Sequence, residues 1–240
     1  MKEQDLYKKL AKYYDYLYAW KDYKKEAEQI KEEIVKYKKS TGNKLLDMAC
    51  GTGSHLEHFT DDYECTGIDI NSEILEVAKS KGLKASFILG DMTDFDLGTE
   101  FDIILCLFSS IGYVKTKENL TKTIECFTKH LKKGGVLIIE PWLTKEIYRA
   151  GSPHMTTFDG EKLKIARVNI SELKGDISYF EMHYLIAEEN KHVIHFVDQH
   201  ELALFPIELM VSLCQNNGLI THHNKEGLFD NHGLLIGVKE

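Results

Sequence analysis

The 240-residue chain has no CxxC pair, no apolar run long enough to cross a bilayer and no surplus of basic residues. Each absence removes a class of protein. Its five cysteines, Cys50, Cys65, Cys106, Cys126 and Cys214, are odd in number and scattered. That excludes a disulfide or zinc framework and fits reduced, buried thiols in the cytoplasm. The opening Met1-Lys2-Glu3-Gln4-Asp5 lacks the apolar segment of a secretion signal, so a soluble, cytoplasmic protein is expected. Lysine and arginine total 30 against 38 acids, a net charge of −8, which argues against a nucleic-acid scaffold. Internal repeats and low-complexity tracts are also missing. His192, His195 and His200 come without cysteines or a fourth ligand at metal-site spacing, so no metal is expected.

What is present can bury a core: 43% of residues are hydrophobic and 10% aromatic, in a length that fits one domain carrying an insertion. Three zones follow one another. Residues 1–39 are polar and helical in pattern, with Leu6, Leu10, Tyr13 and Leu17, then Ala27, Ile30, Ile34 and Tyr37, at helical spacing. Between these stripes lies the aromatic break Tyr18-Ala19-Trp20-Lys21-Asp22-Tyr23. Six tyrosines and a tryptophan fall between Tyr7 and Tyr23. Packing onto a core accounts for most of them, but the polar tips of so many tyrosines also suit a lid over a ligand.

Residues 40–150 form the second zone, in which strand and helix patterns alternate. Strands are expected at 44–48, 63–69, 84–89, 101–106 and 136–140, and helices at 54–59, 72–80 and 117–131, the last stopped by Gly134-Gly135. Such alternation implies right-handed crossovers and a doubly wound parallel α/β sheet. Residues 151–204 change to a two-residue period, with turns at Lys174-Gly175-Asp176 and Glu189-Asn190-Lys191 joining three expected strands. This inserted antiparallel platform interrupts the core, which resumes over 205–240 with a helix at 207–216 and a strand at 233–239.

The chemistry begins where the first strand meets Asp47-Met48-Ala49-Cys50-Gly51-Thr52-Gly53-Ser54. Glycines there let a ligand approach the backbone. A dinucleotide site needs a third glycine, where this chain has Leu56, and a diphosphate is repelled by Asp47. A cationic amino-acid moiety is attracted by it. Asp69 follows 22 residues later at the end of the second strand, placed to accept from ribose hydroxyls. Asp91 closes the third strand, able to accept from an adenine amino group while Met92 packs on the ring. Each acid alone has a plainer reading as a cap or a solvent-facing strand end. Three at successive strand ends point to a ligand, because open α/β sheets bind there.

These motifs, with Leu131-Lys132-Lys133-Gly134-Gly135-Val136-Leu137, resemble the ordered motifs of class I S-adenosylmethionine (SAM) methyltransferases. More narrowly, Ala49–Phe59, Phe108-Ser109-Ser110-Ile111-Gly112-Tyr113, Glu140-Pro141-Trp142 and His195-Phe196-x-Asp198-x-His200 resemble the N-methyltransferases and N,N-dimethyltransferases of nucleotide-linked amino sugars in desosamine and mycaminose pathways. The likeness runs from about Tyr14 to Val238. It implies a Rossmann-like seven-stranded sheet with the last strand antiparallel, SAM as methyl donor and S-adenosylhomocysteine as product. One departure is Ala19-Trp20-Lys21, where the family has an Arg-Gly type of loop. Tyr23, Asp47, Ala49, Gly51, Gly53, Asp69, Ile70, Asp91, Met92 and Leu107 are the expected cofactor residues.

On the acceptor side, an amine must arrive unprotonated or lose its proton nearby. Tyr18, Phe108, Ser109, Tyr113 and Trp142 are expected to bind the substrate, and Tyr18, His195 and His200 to serve catalysis. Trp142 has the plainer reading of a seal at a strand end. His195 and His200 are five apart on one strand, so a regular strand turns at most one of them toward the pocket. His55 and His58 read as surface or packing residues. The expected function is N-methylation of a nucleotide-linked amino sugar. The alternatives are an N- or O-methyltransferase of another small molecule, a non-catalytic SAM-binding module and, disfavoured by the missing glycine, a nicotinamide dehydrogenase. The expected partner is a small molecule, with no nucleic acid and no membrane, and a homodimer is compatible with the chain.

Overall fold

The computed structural model describes residues 11–228 and 232–240; Leu6, Tyr7 and Leu10 of the N-terminal pattern lie outside the described residues. Apolar runs mark strands covered on both faces, and Leu45-Leu46, Ile103–Cys106 and Val136–Ile139 are such runs within β1 (Lys44–Met48), β4 (Phe101–Cys106) and β5 (Leu131–Ile139), at the middle of a seven-stranded sheet. β2 (Glu64–Asp69) and β3 (Ala85–Leu89) extend it on one side, and β11 (Leu234–Lys239) and β10 (Leu219–Asn224) on the other. The order is β10-β11-β5-β4-β1-β2-β3, with β11 antiparallel to both of its neighbours. Alternate residues serve opposite faces. Leu46, Ile104 and Leu137 pack under α4 (Lys117–His130) and α5 (Ile207–Asn216). Leu45, Ile103 and Val136 pack under α2 (Tyr23–Tyr37). α3 (Ser72–Ser80) links β2 to β3, with Asn71 accepting from the Ile74 N–H at 2.9 Å as its N-cap.

Residues 153–203 form a second sheet of four antiparallel strands, β6 (Pro153–Asp159), β7 (Leu163–Lys174), β8 (Ile177–Glu188) and β9 (Ile194–Ala203). Its inner face meets α1 (Ala11–Leu17) through Tyr13, Leu17, Ile165, Tyr184 and Ile186. The first helix is therefore clamped between the second sheet and the carboxyl end of the first. Asp15 makes the latter contact, accepting from Thr52 Oγ1 at 2.5 Å and Ser54 Oγ at 3.2 Å.

Four expectations are corrected. The helix expected at 54–59 is one 3₁₀ turn, Leu56–His58, because the residues before it are spent on a loop with left-handed backbone at Ala49, Gly51 and Gly53. α4 ends at His130 without help from Gly134-Gly135, which lie inside β5. Gly134 has φ +75°, and a Cβ there would stand 2.9 Å from Ser40 N; its carbonyl accepts from both Lys39 and Ser40 N–H at 2.8 Å. The platform has four strands where three were expected, the first being short and exposed along much of its length. β10 was not foreseen from its own residues, since Leu219–Asn224 is an edge strand with two histidines.

Asp102, fully buried at the amino end of the sheet, accepts from the Gly42 and Lys44 N–H groups at 3.1 Å and from Lys132 Nζ at 2.8 Å. Asp102→Ala strands two backbone donors and is expected to lower the unfolding free energy by about 2–3 kcal/mol. The urea midpoint should shift at unchanged slope.

Candidate active site

The carboxyl ends of β1, β2 and β3 open into a cleft of about 1240 Å³ including its mouth. Asp69 joins the three strand ends. Its Oδ2 accepts from the Gly51 N–H and its Oδ1 from the Asn71 N–H, both at 2.9 Å, while its carbonyl accepts from the Gly90 N–H at 3.0 Å. The second lone pair of each carboxylate oxygen is left for ribose hydroxyls. Burial pushes its pKa up, against the backbone donors at Asn71, Gly51 and Ile70. Asp47, almost wholly buried, is pushed up to about 8, first by burial and then by Asp69.

The glycines differ in role. A Cβ on Gly51 would find nothing within 4 Å, so the backbone there faces open space, whereas one on Gly53 would meet Leu83 Cδ1 at 3.2 Å. Gly53 accordingly does not line the cleft. The other expected cofactor residues, Tyr23, Asp47, Ala49, Gly51, Asp69, Ile70, Asp91, Met92 and Leu107, all do. Asp91 Oδ1 also accepts from the N–H and hydroxyl of Thr93 at 2.8 Å, so the plainer capping role and a ligand role share one carboxylate.

Over this floor lies the aromatic break. Lys21 and Glu26 are buried and paired, and Glu26 Oε2 is 2.7 Å from His55 Nε2. Of the surface or packing roles expected for His55, the packing one holds, and the residue also walls the cleft. Burial works to raise Glu26, but the hydrogen bonds with His55 and Lys21 outweigh it and hold Glu26 below the usual carboxylate range. Lys21 also stands 4.5 Å over the Phe108 ring. Phe108 and Ser109 both have left-handed backbone, φ 51° and 61°, a strained pair for non-glycine residues. Glu140 holds the turn, accepting from the Phe108 N–H at 2.6 Å. Burial pushes Glu140 up to about 7.

The expected acceptor-side residues separate. Phe108 and Tyr113 line the cleft. Tyr18 packs edge-on to Phe108 at 5.1 Å, and its hydroxyl accepts from Arg167 NH1 at 3.0 Å. Ser109 is corrected: its turn points it inward, onto Pro141 O at 3.1 Å and His232 Nδ1 at 3.2 Å, and Ser110 lines the cleft instead. Trp142 is corrected likewise, since its Nε1 donates to Ser178 Oγ at 2.9 Å and joins the two sheets. His195 is exposed on the outer face of the platform, 3.3 Å from His183, so it cannot meet a ligand in the cleft. His200 is buried on the inner face, with Nδ1 at 2.8 Å from Tyr113 OH. Arg167 was not singled out from the sequence, and Glu140 and Asp198 entered there only as members of motifs, without a role of their own. Asp198 was findable, because a two-residue spacing from His200 puts both on one face. Among the described residues no cluster of His, Cys, Asp or Glu suits a metal ion.

The donor set fits SAM. Two carboxylates, Asp47 and Asp69, both with pKa values raised by burial, face a space in which a bound ammonium favours the charged form. The backbone of Gly51 is open to the same space.

Residues 45–135 match the model of a methyltransferase domain. Over 226 residues the chain is 36% identical to dTDP-3-amino-3,4,6-trideoxy-alpha-D-glucopyranose N,N-dimethyltransferase of Streptomyces venezuelae, covering 93% of this chain and 94% of the relative. The crystal structure of DesVI from Streptomyces venezuelae superposes with a TM-score of 0.89 at 34% identity, covering 96% of this chain and 98% of the other. The SAM-bound structure of CalS10, an amino pentose methyltransferase from Micromonospora echinaspora, gives 0.82 at 27% identity, with 92% of both chains covered.

Asp47 supplies a pH test. Its folded pKa of about 8 lies above its ordinary 3.8, so it favours the fold fully below the lower value and loses that contribution as pH rises through the higher one. Stability of the protein alone is expected to fall across that window, and Asp47→Asn to flatten the fall. Binding of S-adenosylhomocysteine at pH 7 should release a proton, seen by calorimetry in buffers of different ionisation enthalpy. Release unchanged in Asp47→Asn would place the ammonium elsewhere.

Proposed function

The chain belongs to the SAM-dependent methyltransferases, in the family of the dTDP-amino-sugar N,N-dimethyltransferases, and from that premise we propose that it methylates the amino group of a nucleotide-linked amino sugar. SAM is the cofactor and supplies an activated methyl group when bound. The protein's task is to align an amine with that methyl and to keep water out.

The observation that carries the reading, beside the family, is Arg167. This guanidinium is 9% exposed, and the groups it meets are hydroxyls, Tyr18 OH at 3.0 Å and Thr156 Oγ1 at 2.9 Å. Among the described residues its Nε has no acceptor. A buried cation held by neutral groups leaves positive potential beside Tyr18, which favours an anionic substrate such as a nucleotide diphosphate over a simple amine.

The division of labour follows the chain. Residues 40–150 and 205–240 hold the cofactor, residues 151–204 form the substrate platform, and the lid expected over 1–39 is formed, among the described residues, by 11–39. Tyr18 sits where lid and platform meet and positions the substrate. His200 acts from behind the wall of the cleft. Reduced cysteines and the acidic total support a cytoplasmic enzyme acting on a small molecule.

Two outcomes are expected. Hydrogen exchange over Ala11–Tyr23 should slow when S-adenosylhomocysteine is added; unchanged exchange would refute a lid. In a mass-spectrometric screen, dTDP-linked amino sugars should gain one or two methyl groups. Tyr18→Phe, which removes a hydroxyl placed to hydrogen-bond the substrate, should lower kcat/KM by roughly 2- to 12-fold, the size of one neutral hydrogen bond to that substrate. Turnover of simple amines or phenols with none of the nucleotide sugars would overturn the substrate class and leave the methyltransferase standing.

A further inference from the structure

We propose that Tyr113 is the residue that takes the proton from the acceptor amine, and that His200 and Asp198 behind it carry the proton out of the cleft. The proposal rests on the acceptor being an amine, as argued above.

Tyr113 belongs to the 3₁₀ turn Ser110–Val114 and lines the cleft together with Asp47 and Phe108. Its hydroxyl is 2.8 Å from His200 Nδ1, and His200 Nε2 is 2.9 Å from Asp198 Oδ2. His200 and Asp198 are 3% and 2% exposed. Phe180 stacks on the imidazole, with centroids 5.5 Å apart and planes 22° from parallel. β9 holds the line in place against the turn. Gly112 is close enough to it that a Cβ there would come within 3.0 Å of the Leu202 side chain.

The tautomer follows from the partners. His200 Nε2 and Asp198 Oδ2 stand at ion-pair distance without hydrogen-bond alignment; the charge of the carboxylate favours hydrogen on Nε2, which leaves Nδ1 to accept from the phenol. An acceptor docked as an ammonium gives an N–H proton to Tyr113 Oη. The Tyr113 O–H proton passes to His200 Nδ1. The amine becomes neutral, the phenol is regenerated, and the imidazolium formed is balanced by Asp198. The proton then leaves to solvent, and a second methylation needs the same step again. Tyr18 is not equivalent, because what stands behind its hydroxyl is the Arg167 guanidinium, which donates and cannot receive.

Why a buried Asp–His pair lies here is otherwise hard to see. Removing two ionisable groups from water is poor support for a fold, and apolar residues of similar volume serve as well or better. Other titratable groups facing the line are Tyr14 of α1 toward Tyr113, Tyr184 of β8 toward Asp198, and the Lys115–Glu201 pair at 2.8 Å beside it. None of these lies between the three.

The test is the pH profile of kcat and kcat/KM for full-length wild type, Tyr113→Phe and Asp198→Asn. The substrate is a dTDP-linked amino sugar, and binding of S-adenosylhomocysteine checks the fold. Tyr113→Phe should lose about 10²-fold in kcat near pH 7. The loss should shrink to within about threefold near pH 9.5, where the amine docks already neutral. Asp198→Asn keeps volume and touches no substrate, yet it should reproduce the same pH-dependent loss with KM little changed. A loss independent of pH in both variants, or near-wild-type kcat near pH 7 in both, overturns the relay. If the wild type methylates another amine but no nucleotide sugar, the substrate class fails, and the same profiles on that amine still decide the relay.

Discussion

The Asp69 carboxylate ties together what the carboxyl end of the sheet has to do. Its two oxygens fix the turns after β1 and β2, and its backbone carbonyl fixes the turn after β3. Three loops that are independent in sequence thereby become one rigid floor. Removing this carboxylate would release the Gly51 loop as well as a ligand contact, so structural and ligand roles cannot be separated at this position. The arrangement also sets the electrostatics of its neighbour. Burial raises Asp69 against its backbone donors, and Asp47 meets both burial and the Asp69 carboxylate, so its proton is retained near neutral pH. A cationic ligand then supplies what the protein alone lacks, and affinity is gained from a cost that folding had already incurred.

Above the floor, the break between α1 and α2 is secured by charge buried in the lid. Lys21, Glu26 and His55 form one connected group, and Lys21 reaches over Phe108 in the strained turn after β4. Burial lowers the His55 pKa despite Glu26, so the cluster is best read as Lys21⁺–Glu26⁻ with a neutral imidazole. Strain at Phe108 and Ser109 is offset from below by Glu140 and from the side by His232. The lid is therefore connected to the cofactor loop through Asp15 and His55, and to the acceptor wall through Phe108.

The central strands were legible because burial on both faces leaves a run of apolar residues, as in Ile103–Cys106. The acids at the strand ends were legible because an open parallel sheet directs its ligands there. Less could be read where a residue's role depends on which way a loop turns. Ser109 and Ser110 are adjacent, and only the left-handed backbone at Phe108 and Ser109 decides which of them faces the cleft. The helix expected after Gly53 failed for a similar reason, since a loop closed by Asp69 and Asp15 leaves room for one turn. The platform strands alternate well enough to show two faces, yet nothing in their period says which face is inner. His195 and His200 were separated correctly by parity, and only the packing of α1 on Tyr184 and Ile186 shows which side His200 shares. Arg167 gave no periodic signal beyond that of its strand, and its interest lies in the carboxylate it does not meet.

The two ends of the cleft carry different chemistry, and the reaction explains the division. Methyl transfer from a sulfonium disperses positive charge as the new bond forms. A carboxylate placed against that charge would stabilise the ground state more than the transition state and slow the step. The carboxylates Asp47, Asp69 and Asp91 stand instead at the strand ends. Elsewhere the lining includes Tyr14, Phe108 and Tyr113, whose ring faces attract a cation more weakly and exclude water. A proton from an amine still has to leave through that wall. A phenol backed by a buried imidazole receives it without placing a permanent negative charge at the reacting centre, and the compensating carboxylate, Asp198, is kept one residue's depth behind.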